Sequence, residues 1–329
     1  MKSVLDTRME NCLMDVPVMI CGFNRPETLG RVVDALRHVK PSRLYFVLDA
    51  PRDGNQSDTR CVEECKKIFG RKFDWPCKIY RNYAEKNMGC GKRMTSGISW
   101  VFEHEDRAII LEDDCVPHPS FFQFCDELLE RYKDDSRVGM IAAECEHFRK
   151  TKMNFYGDSY YFDRMCLVWG WATWARAWKL HDPMLKVVDR MVETDVMMNV
   201  FGERKYVKRW SDNIMRIRAG KRSTWAAAWA TTLYRENMLV AHSVANPVVN
   251  VGQRTSSRAG VSGDVFPSPG EMNIVAEEIQ FPLQHPVSMI PNVRCEQYCL
   301  EDMLYMSKWR KTFKYPRITL NRIWKALCR

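Results

Sequence analysis

An acidic triplet follows an apolar run near the middle of the chain. Residues 109–111 are apolar, and Glu112, Asp113 and Asp114 come directly after them. The apolar run predicts a buried β-strand whose acidic end is exposed at the sheet edge where open α/β sheets bind ligands. Adjacent carboxylates repel one another unless a cation holds them together, and Mg²⁺ or Mn²⁺ prefers such oxygen ligands. The alternative is a charged loop after a strand, which a triplet taken alone would favour.

Two further segments place glycine and basic residues where a strand is expected to lead into a helix. Residues 22–26, Gly-Phe-Asn-Arg-Pro, would offer backbone N–H groups to an anion, and Arg25 adds a guanidinium that can bind phosphate. Residues 87–93 contain two glycines, which permit a close approach of backbone to ligand. Lys92 and Arg93 would face negative charge there, although the helix dipole disfavours cations in a first turn.

Asp49 ends the second predicted strand in the same way as the triplet ends its own strand. Its carboxylate could accept hydrogen bonds from a nucleobase or a ribose hydroxyl. A cap on a helix or turn is an equally good interpretation for an aspartate in this place.

The elements that must position these residues alternate along the first half of the chain. Strands are predicted at 16–23, 43–48, 77–80, 107–111 and 138–142, and helices at 28–39, 58–69, 91–103 and 119–132. This alternation predicts an α/β fold, Rossmann-like, with a mostly parallel sheet and helices on both faces. The second half is less regular, with helices expected at 207–219 and 225–237, an extended stretch at 240–251 and a mobile loop at 252–270.

Composition narrows the class of protein. The 329 residues are 46% hydrophobic and 28% charged, which is an ordinary globular mixture. The net charge of +9 favours anionic partners, but the basic residues are dispersed except at the C-terminal end, so nucleic acid is the least favoured of them.

The odd number of cysteines, 13, favours a reducing compartment. Residues 1–15 do not resemble a secretory signal, and no apolar stretch approaches the roughly 20 residues of a membrane span, so we expect a cytoplasmic protein.

The last segment, 308–329, mixes basic and aromatic residues and contains no acid. Such a mixture suits a peripheral contact with an anionic membrane surface. A terminal helix packed on the domain is the alternative.

Four motifs together resemble a known family. They are residues 21–26, residues 87–93, the run Glu-Asp-Asp-Cys-Val-Pro-His-Pro-Ser-Phe-Phe at 112–122, and Trp-Gly-Trp-Ala-Thr-Trp at 169–174. In this order they resemble the nucleotide-diphospho-sugar glycosyltransferases of the GT-A fold, especially those labelled haemolytic-protein-like. More distantly, they are similar to N-acetylglucosaminyltransferase I. The resemblance covers residues 16–260, most of the chain.

The resemblance implies an enzyme that uses Mn²⁺ or Mg²⁺ to move a sugar from a UDP-sugar to a hydroxyl of a glycan, glycolipid or glycoprotein. Asp114 of the DXD-like motif would bind the metal, with Glu112 and Asp113 beside the ribose and donor sugar. The nucleotide pocket would be lined by Phe23, Asn24, Arg25 and Asp49, with Lys92 near the base or diphosphate. The loop beside donor sugar and acceptor would contain Trp169, Gly170 and Trp171, for which core packing is the alternative. We expect Trp174 and Trp178, spaced by four on a predicted helix, to be core residues.

The implied organisation is an N-terminal extension at 1–15, a catalytic domain at 16–290 and a basic aromatic tail at 291–329. The nucleotide-sugar half of the domain would be 16–145 and the acceptor half 146–290. Arg254 and Arg258 of the predicted mobile loop could close over a bound diphosphate, or the loop could be a basic segment without that role.

The catalytic base is missing from the expected place. Relatives often carry a carboxylate where residues 223–229 read Ser-Thr-Trp-Ala-Ala-Ala-Trp. An inverting transferase needs a base to deprotonate the acceptor hydroxyl, and the candidates elsewhere are Asp212, Glu144 and Asp163. A retaining enzyme would need no such base, and a nucleotide-sugar-binding protein with little turnover would need none either. A sugar nucleotidyltransferase is a further alternative, but it usually begins with a glycine-rich loop that residues 22–26 do not match.

Overall fold

The computed structural model describes residues 13–143, 153–252 and 276–301. Within these ranges the strands are β1 (Val18–Gly22), β2 (Arg43–Leu48), β3 (Lys78–Tyr83), β4 (Arg107–Glu112), β5 (Cys115–Pro117), β6 (Val138–Ala142), β7 (Tyr160–Asp163), β8 (Trp171–Trp174), β9 (Leu239–Ser243) and β10 (Val248–Asn250). The helices are α1 (Pro26–Ala35), α2 (Gln56–Phe69), α3 (Gly89–Phe102), α4 (Pro119–Arg131), α5 (Ala175–Trp178), α6 (Val188–Glu193), α7 (Met198–Phe201), α8 (Arg204–Arg218) and α9 (Ala226–Arg235). A further helical segment runs from residue 293 to 301, where the described range ends.

One sheet contains most of the described strands, in the order β3-β2-β1-β4-β8-β6-β9-β7. Strand β1 is parallel to both β2 and β4, and β6 is parallel to β9. Strand β8 runs antiparallel between β4 and β6, and β7 is the outermost strand and runs antiparallel to β9. All strands of this sheet except β7 and β8 therefore share one direction, which confirms the predicted mostly parallel α/β class.

Helices cover both faces of this sheet. In β1, Ile20 packs into one core cluster with residues of α1, α2 and α4, whereas Met19 packs into a second cluster with residues of α3 and α9. A strand that is buried on both faces has no polar side, which explains why β1, β2 and β4 read as nearly continuous apolar runs in the sequence.

A third core cluster lies beyond the sheet, among α6, α7 and α8. Cys295 and Cys299 are fully buried in it together with Trp210 of α8. The carboxylate of Glu296 accepts a hydrogen bond of 2.7 Å from Nε of Arg164. The first residues of the segment assigned to the C-terminal tail thus pack against the domain. The basic aromatic stretch at 308–329 lies outside the described residues.

One predicted element is wrong in type. Trp174 and Trp178 are both buried, as expected, but they do not share a helix. Trp174 is the last residue of β8, paired with Arg107 of β4, and Trp178 ends the short helix α5. Spacing by four suits a helix locally, but pairing with β4 holds the first of the two tryptophans in the sheet.

Candidate functional site

The parallel strands β1, β2 and β4 bring together segments that are distant in sequence. These segments meet at the edge of the sheet formed by the carboxyl ends of the strands, which is called the carboxyl edge below. Gly22 of β1 is in register with Leu48 of β2, and Cys21 of β1 is in register with Glu112 of β4. The turn after β1, Asp49 after β2 and the acidic triplet after β4 therefore meet at this edge. Open α/β sheets bind their ligands in this position.

Arg25 binds two of the three carboxylates of the triplet. Its Nη1 lies 2.5 Å from Oδ2 of Asp114, and its Nη2 pairs with Oδ1 of Asp113. Each aspartate is 2% exposed, so these charges are removed from solvent. Burial alone lowers the pKa of Arg25, but the charges of Asp113 and Asp114 outweigh it and raise that pKa above its usual value. The cation that the crowded carboxylates require is thus present in the chain itself.

The other oxygens of the two aspartates also have donors. Oδ2 of Asp113 accepts a hydrogen bond of 3.1 Å from the backbone N–H of Phe23. Oδ1 of Asp114 accepts one of 3.3 Å from the side-chain amide of Asn250, at the end of β10. Burial raises the pKa of Asp113, and Arg25 opposes this rise.

Gly252 lies against the ion pair, because the backbone after β10 passes over it. The N–H of Val251 donates to the backbone carbonyl of Asp114 at 2.8 Å. A Cβ atom at position 252 would overlap Oδ2 of Asp114 and Nη1 of Arg25, so only glycine fits. The signal for this role in the sequence is a glycine directly after the predicted extended stretch, and neither Gly252 nor Asn250 belongs to the motifs described above.

Asp49 holds the start of α3 to the end of β2. It is 4% exposed, and its carboxylate accepts hydrogen bonds of 2.9 Å from the N–H groups of Met88 and Gly89. Gly89 has φ of +74°, which a residue with a side chain rarely adopts. These contacts are those of the capping interpretation, and a role for Asp49 in the nucleotide pocket stays a prediction.

The turn after β1 is held from its other side by α2. The side-chain amide of Asn24 donates to Oδ1 of Asp58 at 2.7 Å, and Arg52 Nε donates to Oδ2 of Asp58 at 2.5 Å. The hydrogen bond from Arg52 is the main cause that lowers the pKa of Asp58. Arg52 also lies over the ring of Phe23, 5.8 Å from its centroid, and its side chain is 41% exposed. This places a partly exposed cation beside the turn, and no motif in the sequence predicted it.

The two basic residues of α3 have different environments. Lys92 is exposed in the first turn of the helix. Arg93 is 4% exposed and donates to the side-chain oxygen of Asn82 in β3 at 2.9 Å. The expectation that both cations face an anion is therefore corrected for Arg93, because its charge is used inside the domain.

The segment that lacks the expected carboxylate does reach the start of α3. The N–H of Gly91 donates to Oγ of Ser223 at 3.3 Å, and a Cβ at Gly91 would lie 3.0 Å from the same oxygen. Trp225 follows, and it is 3% exposed in the second core cluster. The position is therefore close to the sheet edge, but it carries no acid.

The tryptophan motif lies mostly in the core. Trp171 is fully buried in β8, and its ring centroid lies 5.3 Å from that of Trp225 and 6.0 Å from that of Trp229. Gly170 has φ of +74° and packs closely on Val248. The structure thus corrects the expectation that Trp171 faces a sugar, whereas Trp169 is half-buried at the rim of the first cluster.

The candidate bases that can be located have partners of their own. Asp212 is 61% exposed on α8 and pairs with Lys208 one turn earlier, at 3.1 Å. Asp163 is fully buried, and its Oδ1 lies 2.9 Å from Nε2 of His242. Because Asp163 pairs with Val240 near the start of β9, it lies toward the opposite edge of the sheet from the triplet. Glu144, Arg254 and Arg258 lie outside the described residues.

The arrangement of donors does not fit a divalent cation. No group of three or more His, Cys, Asp or Glu side chains in the described part of the chain could hold a metal ion. Arg25 binds one oxygen of Asp114 and one oxygen of Asp113. A metal at Asp114 would require Arg25 to leave.

Comparisons with known proteins gave solved structures only. No protein-family model matches the chain, and no curated protein matches it. UDP-glucose pyrophosphorylase complexed with UDP-glucose matches with 10% identity and a TM-score of 0.26, over 46% of this chain and 62% of that one. Glucosyl-3-phosphoglycerate synthase from Mycobacterium tuberculosis, in complex with Mn²⁺, UDP and phosphoglyceric acid, matches with 12% identity and a TM-score of 0.32, over 54% and 65%. Apo UDP-glucose pyrophosphorylase matches with 7% identity and a TM-score of 0.35, over 70% and 91%. The chain thus spans less than two thirds of the length of the first two structures.

None of the helices in the described ranges is both long enough and apolar enough to cross a membrane.

Proposed function

We propose that this chain is a glycosyltransferase that transfers a sugar from a UDP-sugar to a hydroxyl of a glycan, glycolipid or glycoprotein. The observation that carries the proposal is the meeting of three segments at the carboxyl edge of the sheet. These are the turn at 22–26, the glycine-containing start of α3 and the acidic end of β4. These three segments also contain three of the four motifs that carry the family resemblance.

The chemistry available at this edge suits the departure of a nucleoside diphosphate. Exposed Lys92 and partly exposed Arg52 would bind the diphosphate and stabilise the negative charge that develops as UDP leaves. Binding donor and acceptor side by side would supply a large share of the remaining rate acceleration. Mn²⁺ or Mg²⁺, when bound, would supply the same charge stabilisation, but the residues present do not fit such an ion and no step depends on it.

The catalytic base remains a proposal among the three candidates. Asp163 is fully buried and Asp212 has a surface ion-pair partner, so their contacts do not favour them. Glu144 follows Ala143, whose N–H donates to the carbonyl of Gly170 at 3.0 Å beside the carboxyl end of β6. We therefore propose Glu144 as the first base to test.

A binding protein that takes nucleotide sugars with little turnover is the second candidate function. The observation that favours it is the start of α9, where Ala226 and Ala227 stand at the place of the carboxylate in relatives. This candidate requires UDP-sugar binding but no release of UDP when an acceptor is supplied.

Calorimetric titration of the full chain with UDP, UDP-sugars, ADP and GDP tests the proposed function. We expect UDP and at least one UDP-sugar to bind more tightly than ADP or GDP. Lys92→Gln should weaken UDP binding, because the protein loses a cation that would bind the diphosphate. Lys72→Gln is the matched control, since Lys72 is an exposed lysine between α2 and β3, toward the opposite edge of the sheet. Equal loss in both variants, or no binding of any nucleotide, would contradict the proposal.

A further inference from the structure

We propose that the guanidinium of Arg25 is the permanent counter-cation of Asp113 and Asp114, so that this chain binds a nucleoside diphosphate without a divalent metal. The inference rests on the proposed function for its nucleotide readout, and its metal readout stands without it. It departs from the resemblance, which implies a metal at Asp114.

The position of Arg25 is set by the start of α1. Its backbone carbonyl accepts hydrogen bonds from the N–H of Leu29 at 3.0 Å and from Oγ1 of Thr28 at 3.2 Å. The guanidinium then uses separate nitrogens for the two carboxylates, Nη1 for Asp114 and Nη2 for Asp113. A planar guanidinium matches such a pair of acceptors, which a lysine could not bridge in the same way.

A metal and Arg25 would compete for the same oxygen. Mg²⁺ binds oxygen at about 2.1 Å, so an ion on Oδ2 of Asp114 would lie within about 5 Å of the Nη1 that is 2.5 Å from this oxygen. Two cations at this distance in a buried site repel strongly. Gly252 covers the same oxygen from the β10 side, where even a methyl group would overlap it. Arg25 and a metal ion should therefore compete for Asp114.

The decisive variant is Arg25→Met, which removes this guanidinium from two adjacent buried carboxylates. Arg164→Met is a matched control. The side chain of Arg164 is 20% exposed, like that of Arg25, and its partner Glu296 is 4% exposed, but only one carboxylate is released. Mn²⁺ binding to the full chain is measured by electron paramagnetic resonance for the wild type, Arg25→Met, Arg164→Met, Asp114→Asn, and Arg25→Met combined with Asp114→Asn.

We expect no saturable Mn²⁺ binding in the wild type and in Arg164→Met. Arg25→Met should bind one Mn²⁺ saturably through the freed carboxylate oxygens, and the added Asp114→Asn should abolish this binding. Saturable binding in the wild type that Asp114→Asn removes would overturn the proposal. Absence of binding in folded Arg25→Met would overturn it as well, because the carboxylates would then form no latent metal site.

Titration of the wild type with UDP, with and without a metal chelator, gives the second readout and needs no variant. Unchanged affinity supports the proposal, and a loss of tenfold or more on chelation overturns it. If UDP fails to bind under either condition, the proposed function fails, and the Mn²⁺ measurement alone decides the role of Arg25.

Discussion

Nη1 of Arg25 lies 2.5 Å from Oδ2 of Asp114, although the two residues are 89 positions apart in the chain. The contact joins the residue that precedes α1 to the turn between β4 and β5. Removal of one partner of a buried ion pair destabilises a fold, because the other charge stays buried without that counter-ion. The same contact therefore links the stability of the domain to the geometry of the candidate site.

Replacement of Arg25 by methionine should destabilise the domain by about 3–5 kcal/mol, because two buried carboxylates lose their ion pair with Arg25. The free energy of unfolding in urea measures the effect. Arg37→Met is the control, since the side chain of Arg37 is 44% exposed and its partner Asp74 is 72% exposed. An exposed pair contributes about 0–1 kcal/mol, so equal losses in the two variants would contradict the structural account of Arg25.

Gly252→Ala should destabilise the domain by about 1–3 kcal/mol, because the added methyl group overlaps the ion pair of Arg25 and Asp114. Gly30→Ala serves as the control, since a Cβ there meets only Ile68 at 4.0 Å within helix α1. Alanine in a helix interior is more favourable than glycine by roughly 0.5–1 kcal/mol, so this variant should be slightly stabilised. Thermal unfolding of the two variants measures the difference, and a neutral Gly252→Ala would mean that the backbone after β10 does not cover the pair.

The free energy of unfolding should decrease as the pH is lowered from 7 to 5, because of His181. Its ring stacks on Trp178 with centroids 4.2 Å apart, and burial lowers its pKa to about 4. Between this value and the ordinary pKa of about 6.5, only the unfolded chain binds the proton, so the free energy of unfolding decreases as the pH falls. The effect should reach about 2 kcal/mol between pH 7 and pH 5.

Phenylalanine at position 181 keeps an aromatic ring on Trp178 but cannot titrate. Urea unfolding of His181→Phe at both pH values should therefore show a smaller difference than the wild type. His38→Phe is the control, because His38 is exposed at the end of the turn after α1. A pH dependence that persists unchanged in His181→Phe would assign it to other groups.

Asp212→Asn should leave the release of UDP from a UDP-sugar within about twofold of the wild type, because loss of an exposed i,i+4 ion pair changes stability by only a few tenths of a kcal/mol. A catalytic base usually contributes a hundredfold or more. Glu144→Gln is compared in the same assay as the base that we propose. A hundredfold loss in Asp212→Asn at unchanged stability would restore Asp212 as the base.

Several features of the site were predictable because they are local. Apolar runs predicted β1, β2 and β4, and Pro26 and Pro119 begin the helices α1 and α4, as proline in a first turn favours. The acidic triplet was correctly expected at the end of a strand. The wrong expectations concern side chains whose partners are distant in sequence, such as Arg93 with Asn82 and Trp171 with Trp225.

The sequence by itself determined the order of strands and helices and the place of three carboxylates at a strand end, because hydrophobic periodicity reports which residues are buried. It did not determine the cation that these carboxylates bind. Only the tertiary structure decided this. Strand β1 lies next to β4 in the sheet, although β2 and β3 come between them in the sequence, and this pairing brings Arg25 to Asp113 and Asp114. Periodicity identifies a buried side chain but not its neighbour, and the neighbour is selected by the order of strands in the sheet.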